Sequence, residues 1–60
     1  MTTPAYTVYA DHALIATAET ADSAISWVHE YDDGRYLFQI YKYTGGNPSQ
    51  PSSYQEVEIG

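Results

Sequence analysis

Arg35-Tyr36-Leu37-Phe38-Gln39-Ile40-Tyr41-Lys42-Tyr43-Thr44 is the longest run of aromatic and β-branched residues in the chain. It carries four of the nine aromatics and both cations. Such side chains suit a pleated, half-buried surface, so a strand is predicted over residues 35–44. Alternation gives it two faces, Tyr36, Phe38, Ile40 and Lys42 on one, Leu37, Gln39, Tyr41 and Tyr43 on the other. Phe38 with Ile40 makes the better core pair, because the opposite choice would bury the Gln39 amide and oblige it to find partners. Lys42 lies near the strand end and can reach water along its aliphatic stem. Leu37, Tyr41 and Tyr43 are thereby assigned to the side away from the core.

Upstream, the pattern changes period. Thr20 is a good helix N-cap and Asp22 favours the first turn through the helix dipole. Ala21, Ala24, Ile25 and Val28 then recur on one face, with Ser23, Ser26 and Glu30 opposite and Trp27 and Tyr31 flanking the stripe. A helix over residues 21–31 follows, about 16 Å long. Gly34 is read as its left-handed C-cap after Asp32-Asp33. Before the helix, Tyr6-Thr7-Val8-Tyr9-Ala10 is rich in strand formers, and a strand is predicted over residues 5–10 behind a lead-in of residues 1–4. Ala13-Leu14-Ile15-Ala16-Thr17-Ala18 reads as a second strand or a helix start, and its length favours the strand. Asp11-His12 would be the tight connection between them, without the Gly that best supports such a turn.

Downstream, Gly45-Gly46-Asn47-Pro48-Ser49-Gln50-Pro51-Ser52-Ser53 contains only turn and loop formers and is expected to be a mobile surface loop. Residues 54–59 alternate as a last strand, with Val57 and Ile59 inward and Glu56 and Glu58 outward. Two hairpins joined through a helix give a single α+β domain, a four-stranded ββαββ sheet with one helix on one face. In element order and size this resembles the small β-grasp domains, such as the immunoglobulin-binding domain of streptococcal protein G. That likeness implies that the two terminal strands pair in parallel at the sheet centre. The expected core is Tyr6 or Val8, Leu14 or Ile15, Ala21, Ile25, Val28, Phe38, Ile40, Val57 and Ile59. The other sheet face would be uncovered, showing Thr7, Tyr9, Leu37, Gln39, Tyr41, Tyr43, Glu56 and Glu58.

Composition narrows the function. Sixty residues with eight carboxylates, two cations and no cysteine carry a formal charge of −6. A chain this short buries only about 60% of its unfolded surface, and no disulfide or thiolate metal site can supplement its core. Two cations cannot replace the counterions condensed on a phosphate backbone, which argues against direct binding to nucleic acid or an anionic membrane. Basic partners are favoured instead. Met1-Thr2-Thr3-Pro4 has no cationic n-region and no apolar run follows it, so no signal peptide is read and a cytoplasmic location is expected, in the producing or an infected cell. No run approaches the roughly 20 apolar residues that span a bilayer.

Chemistry finds little purchase. His12 and His29 have acidic neighbours, but a metal site needs three or four converging ligands, and none is expected. Ser23, Ser26 and Ser49 sit in no nucleophile motif. Asp32-Asp33 stand beside a helix-ending glycine, where solvent is expected, whereas acid–base work needs burial. Gly45-Gly46 precedes no lysine and opens no helix, so no phosphate loop is formed. Neither an enzyme nor a cofactor is expected, and a two-layer fold of this size has little volume for a pocket.

What remains is the tyrosine face and the acidity. Tyr supplies large rigid contact area with a polar tip, and Tyr9, Leu37, Tyr41 and Tyr43, edged by Glu56 and Glu58, form a candidate partner surface. Asp22, Glu30, Asp32 and Asp33 join them as candidate charges. In size and acidity the chain resembles phage-encoded anti-defence proteins, including anti-CRISPR inhibitors that present carboxylates in place of DNA phosphates. That resemblance implies a small inhibitor acting on a basic nucleic-acid-handling protein as a DNA mimic, with Asp11 and Glu19 among the mimic charges. The alternative is an assembly protein forming a homodimer through its Tyr-rich face. An immunoglobulin binder would rest on fold analogy alone.

Overall fold

A computed structural model describes residues 3–59; the lead-in expected over residues 1–4 lies partly outside them. Its elements are β1 (Tyr6–Ala10), β2 (Ala13–Ala18), α1 (Ala21–Tyr31), β3 (Phe38–Tyr43), a short 3-10 turn (Pro51–Ser53) and β4 (Tyr54–Val57). The strands form one antiparallel sheet in the order β2-β1-β3-β4, and α1 packs on the face of β1, β2 and β3. The fold is α+β, as the sequence predicts.

The terminal strands, however, are not neighbours. β1 pairs with β2 on one side and β3 on the other, and β4 pairs with the outer edge of β3. The β-grasp arrangement of parallel terminal strands therefore does not hold. Polarity gives the physical reason. A central strand is covered by neighbours, and β4 carries Gln55 and Glu56, both exposed. A short, charged strand belongs at an edge, where it also discourages further pairing. β3 has the apolar residues for the centre: Ile40 lies opposite Val8 on β1 and Val57 on β4.

Val8, Ala24, Val28 and Ile40 form the buried core, with Tyr6, Ala16, Ala18, Ile25, Trp27, Phe38, Val57 and Ile59 packed partly buried around it. Ala24 is fully buried where Ala21 is only half-buried. The expected core position of Leu14 or Ile15 is a correction, since they are 55% and 43% exposed. Val8 faces Ala16 but the next residue, Tyr9, faces Leu14, so Ile15 is the extra residue of a β-bulge. The bulge breaks the alternation from which an inward residue is read. On this strand the core-facing residues are the small Ala16 and Ala18.

Thr20 caps α1 through its side chain, which accepts from the Ser23 N–H at 3.1 Å. The helix ends at Tyr31, and the cap is Asp32, whose N–H donates to the Val28 carbonyl. Gly34 is not the cap. Its φ of +85° serves a turn two residues later. There the Asp32 and Asp33 carboxylates accept from the Gly34 and Arg35 N–H groups, each at 3.0 Å. These turns occupy residues 32–35, so β3 starts at Phe38 rather than at Arg35, and Leu37 precedes the strand. β4 likewise stops at Val57, short of Ile59. Asp11 and His12 form the two-residue hairpin turn with φ of +49° and +69°. Positive φ at both positions is the geometry that matches strand twist, and Asp and His tolerate it better than most residues.

Candidate binding groove

The face of the sheet away from the helix carries Thr7, Tyr9, Gln39, Tyr41, Tyr43, Tyr54 and Glu56. Register follows from the pairing: Thr7 lies opposite Tyr41, Tyr9 opposite Gln39, Tyr41 opposite Glu56 and Tyr43 opposite Tyr54. The Tyr9 and Tyr41 rings meet edge to face, with centroids 5.5 Å apart at 90°. That is a favourable quadrupole arrangement for aromatic pairs.

This face is not left uncovered. Residues 45–53 are hydrogen-bonded back on themselves and stand beside it. Ser53 Oγ donates to the Asn47 carbonyl at 2.6 Å, and the Gln50 N–H donates to the same carbonyl at 3.0 Å. The Ser53 carbonyl in turn accepts from both the N–H and the hydroxyl of Thr44, at 2.7 and 2.9 Å. Two tyrosines tie the loop to the sheet: the Tyr43 hydroxyl donates to the Gly46 carbonyl, and the Tyr54 hydroxyl to the Pro48 carbonyl at 2.8 Å. The segment expected as a surface loop is thus a hydrogen-bonded wall, with Gly45 and Gly46 supplying its positive φ values. Thr7, on the side away from the helix and flanked by Thr17 and Tyr41 on the neighbouring strands, is only 7% exposed.

Wall and sheet enclose a groove of about 440 Å³, floored by Thr7, Tyr9, Gln39 and Tyr41 with His12 at one end, and walled by residues 48–51 and Tyr54. Ligand sites commonly span about 300–1,000 Å³, so this concavity is large enough to hold a side chain or short peptide segment. The small chain thus has a pocket that its length argued against. A second notch, lined by Ile15, Trp27, Tyr31, Tyr36 and Phe38 with Asp11 the one charged group, lies on the helix side.

The residues singled out from sequence separate into two groups. Tyr9, Tyr41, Tyr43 and Glu56 share the grooved face, although Tyr43 is engaged as a loop tether. Asp22 and Glu30 are exposed on the helix, across the sheet from the groove. Asp32 and Asp33 are exposed too, but their carboxylates build the turn after α1, and Asp33 also meets Arg35 Nε at 3.3 Å. Leu37 is exposed next to the hairpin turn, where its N–H donates to the Asp11 carboxylate at 3.0 Å and its carbonyl accepts from the Asp11 N–H at 2.9 Å. Glu58 follows the end of β4 and is exposed. Asp11 is therefore a structural acid as well as a surface charge.

Sequence reading missed the loop wall and Tyr54. The available signal was parity, since Tyr54 alternates with the outward Glu56. Among the described residues no three His, Asp or Glu side chains converge as metal ligands would, and no helix is long and apolar enough to cross a membrane. Comparison with protein-family models, with curated proteins and with solved structures finds no match to this chain.

Proposed function

We propose that this chain is a small acidic, non-enzymatic binding module that acts on a basic protein, in the manner of an inhibitor that occupies a nucleic-acid-binding surface. The supporting observation is the state of its charge. All eight carboxylates are exposed, and among the described residues a single ion pair, Arg35 with Asp33, neutralises any of them. Exposed charges of one sign attract an oppositely charged surface and speed its encounter, an effect that salt screens within about 8–10 Å. A phage origin and a DNA-mimic mode of action belong to this reading, with Asp22, Glu30, Asp32 and Asp33 the charges on the helix side.

The experiment is affinity capture from lysate at low and high ionic strength, repeated with Asp22→Asn/Glu30→Gln. Basic nucleic-acid-binding proteins should be retained at low salt, released at high salt and retained less by the double variant. Recovery of acidic or salt-insensitive partners would refute the reading.

Self-association is the second reading, and the β2 edge favours it over the Tyr-rich face on which the loop stands. Ala13–Ala18 is an outer strand with no charged residue or proline, whereas the opposite edge carries Glu56. An unguarded edge is a template for pairing with a second copy. Sedimentation of the parent chain and of Thr17→Lys across micromolar concentrations separates the cases: a monomer throughout excludes the dimer.

A further inference from the structure

We propose that the groove on the sheet face away from the helix is a binding site for a cationic side chain, an arginine guanidinium above all, presented on an extended segment of a basic protein. The proposal rests on the reading of the chain as a module for basic partners and adds where the partner is anchored. Three features of the groove and its surroundings point to a cation.

The first is the aromatic floor. A guanidinium is attracted to a tyrosine ring when it lies within about 6 Å of the centroid, and it stacks on such rings better than an ammonium does. Tyr9 and Tyr41 present adjoining rings at right angles in the groove, so a planar cation there can stack on the electron-rich face of one of them. The second is the unanswered carboxylate. Glu56 stands beside the groove rather than in its lining, exposed and opposite Tyr41 on β4, and neither of the chain's cations is placed to pair with it. Arg35 is held by Asp33 in the turn after the helix, and Lys42 is one residue out of phase with Tyr41 and so belongs to the other side of the sheet. The third is the polar lining. Thr7, His12, Gln39, Ser49 and Gln50 contribute to the groove. A purely apolar occupant would strip these groups of water without replacing their hydrogen bonds. An arginine supplies five donors for the Gln39 amide oxygen and the loop, and its aliphatic stem can lie against Pro48 and Pro51. An anion is disfavoured by Glu56 and by the net charge of −6.

The test titrates the intact chain with a capped glycine pentapeptide carrying one central arginine, and with matched peptides carrying lysine or citrulline. Amide chemical shifts in NMR locate the site without any substitution. The arginine peptide should shift Tyr9, Gln39, Tyr41 and the residue 49–50 amides. Citrulline, equal in shape and neutral, should bind at least about fivefold more weakly, as loss of a partly desolvated cation–π contact implies. Tyr41→Leu should weaken the arginine peptide by a similar factor, and Glu56→Gln by about two- to threefold, the scale of an exposed ion pair. Equal binding of the citrulline peptide overturns the proposal. So do shifts confined to Asp22 and Glu30, which would leave the acidic-module reading standing with the groove unused. If no cationic peptide shifts any residue and capture also returns no basic partner, both readings fall together.

Discussion

Ser53→Ala is the sharpest test of how the groove is built, because it removes one atom from the wall and leaves the backbone contacts in place. Ser53 is 5% exposed, and its hydroxyl donates to the Asn47 carbonyl at 2.6 Å. Its own N–H and carbonyl are used elsewhere, by the Gln50 carbonyl and by Thr44. A typical internal hydrogen bond contributes about 0.5–1.5 kcal/mol net. Asn47 is exposed, so its carbonyl can turn to water and escape the larger penalty of a stranded acceptor. The expected loss is therefore about 0.5–1 kcal/mol, or about two- to fivefold in the equilibrium between closed and open loop. Native-state hydrogen exchange reads this directly at the Thr44, Gln50 and Ser53 amides. They should exchange about two- to fivefold faster in the variant, while Val8 and Ile40 in the sheet change little. Free-peptide exchange of the same amides in the parent chain would mean that the wall does not close, and unchanged rates in Ser53→Ala would refute the role of its hydroxyl.

Three further substitutions probe the scaffold. Ile40 is completely buried between Val8 and Val57, and Ile40→Ala should cost about 2–5 kcal/mol. A chain of this length has about 3–9 kcal/mol in total, so urea melts should show a severely lowered midpoint, and a loss below about 1 kcal/mol would contradict the core assignment. Thr20→Ala removes the cap to Ser23 N–H and should cost about 1 kcal/mol, with Thr20→Ser retaining most of it in the same melts. His12→Gly should raise the thermal midpoint. Relief of the left-handed conformation, about 1–2 kcal/mol, outweighs glycine's extra freedom in the unfolded chain, about 0.5–1 kcal/mol. A lowered midpoint would show that the imidazole makes contacts worth more than the strain.

Local chemistry was readable and non-local pairing was not. The helix is bounded where a cap and a four-residue stripe place it, because both signals lie within the segment itself. The faces of β3 follow from period two, and Phe38 and Ile40 do turn toward the helix. Strand order has no such local signature, since β1 offers two edges to any later strand. The start of β3 was misplaced because Asp32 and Asp33 read as charges rather than as acceptors for the next turn. Their spacing to Gly34 and Arg35 was the missed clue, as short acidic side chains commonly bond an amide two residues on.

The groove was hidden for a different reason. The composition of residues 45–53 rightly excludes helix and strand, but irregular backbone is not the same as loose backbone. Every short polar group there can serve a neighbouring amide or carbonyl, and Asn47 does so twice over: its side chain accepts from Ser49 N–H while its carbonyl accepts from Gln50 and Ser53. The tyrosines carried the rest of the information. A half-buried Tyr needs a partner for its hydroxyl, and Tyr43 and Tyr54 face each other at the base of the loop with ring centroids 5.6 Å apart. Both hydroxyls find carbonyls in the loop. Tyr43, grouped by parity with Tyr9 and Tyr41, therefore has a different job. Tyr43→Phe should loosen the wall and speed exchange at Gln50 without touching the floor, whereas Tyr41→Leu should weaken a cationic ligand and leave the wall closed. A uniform tyrosine patch would give both substitutions the same effect on both measurements.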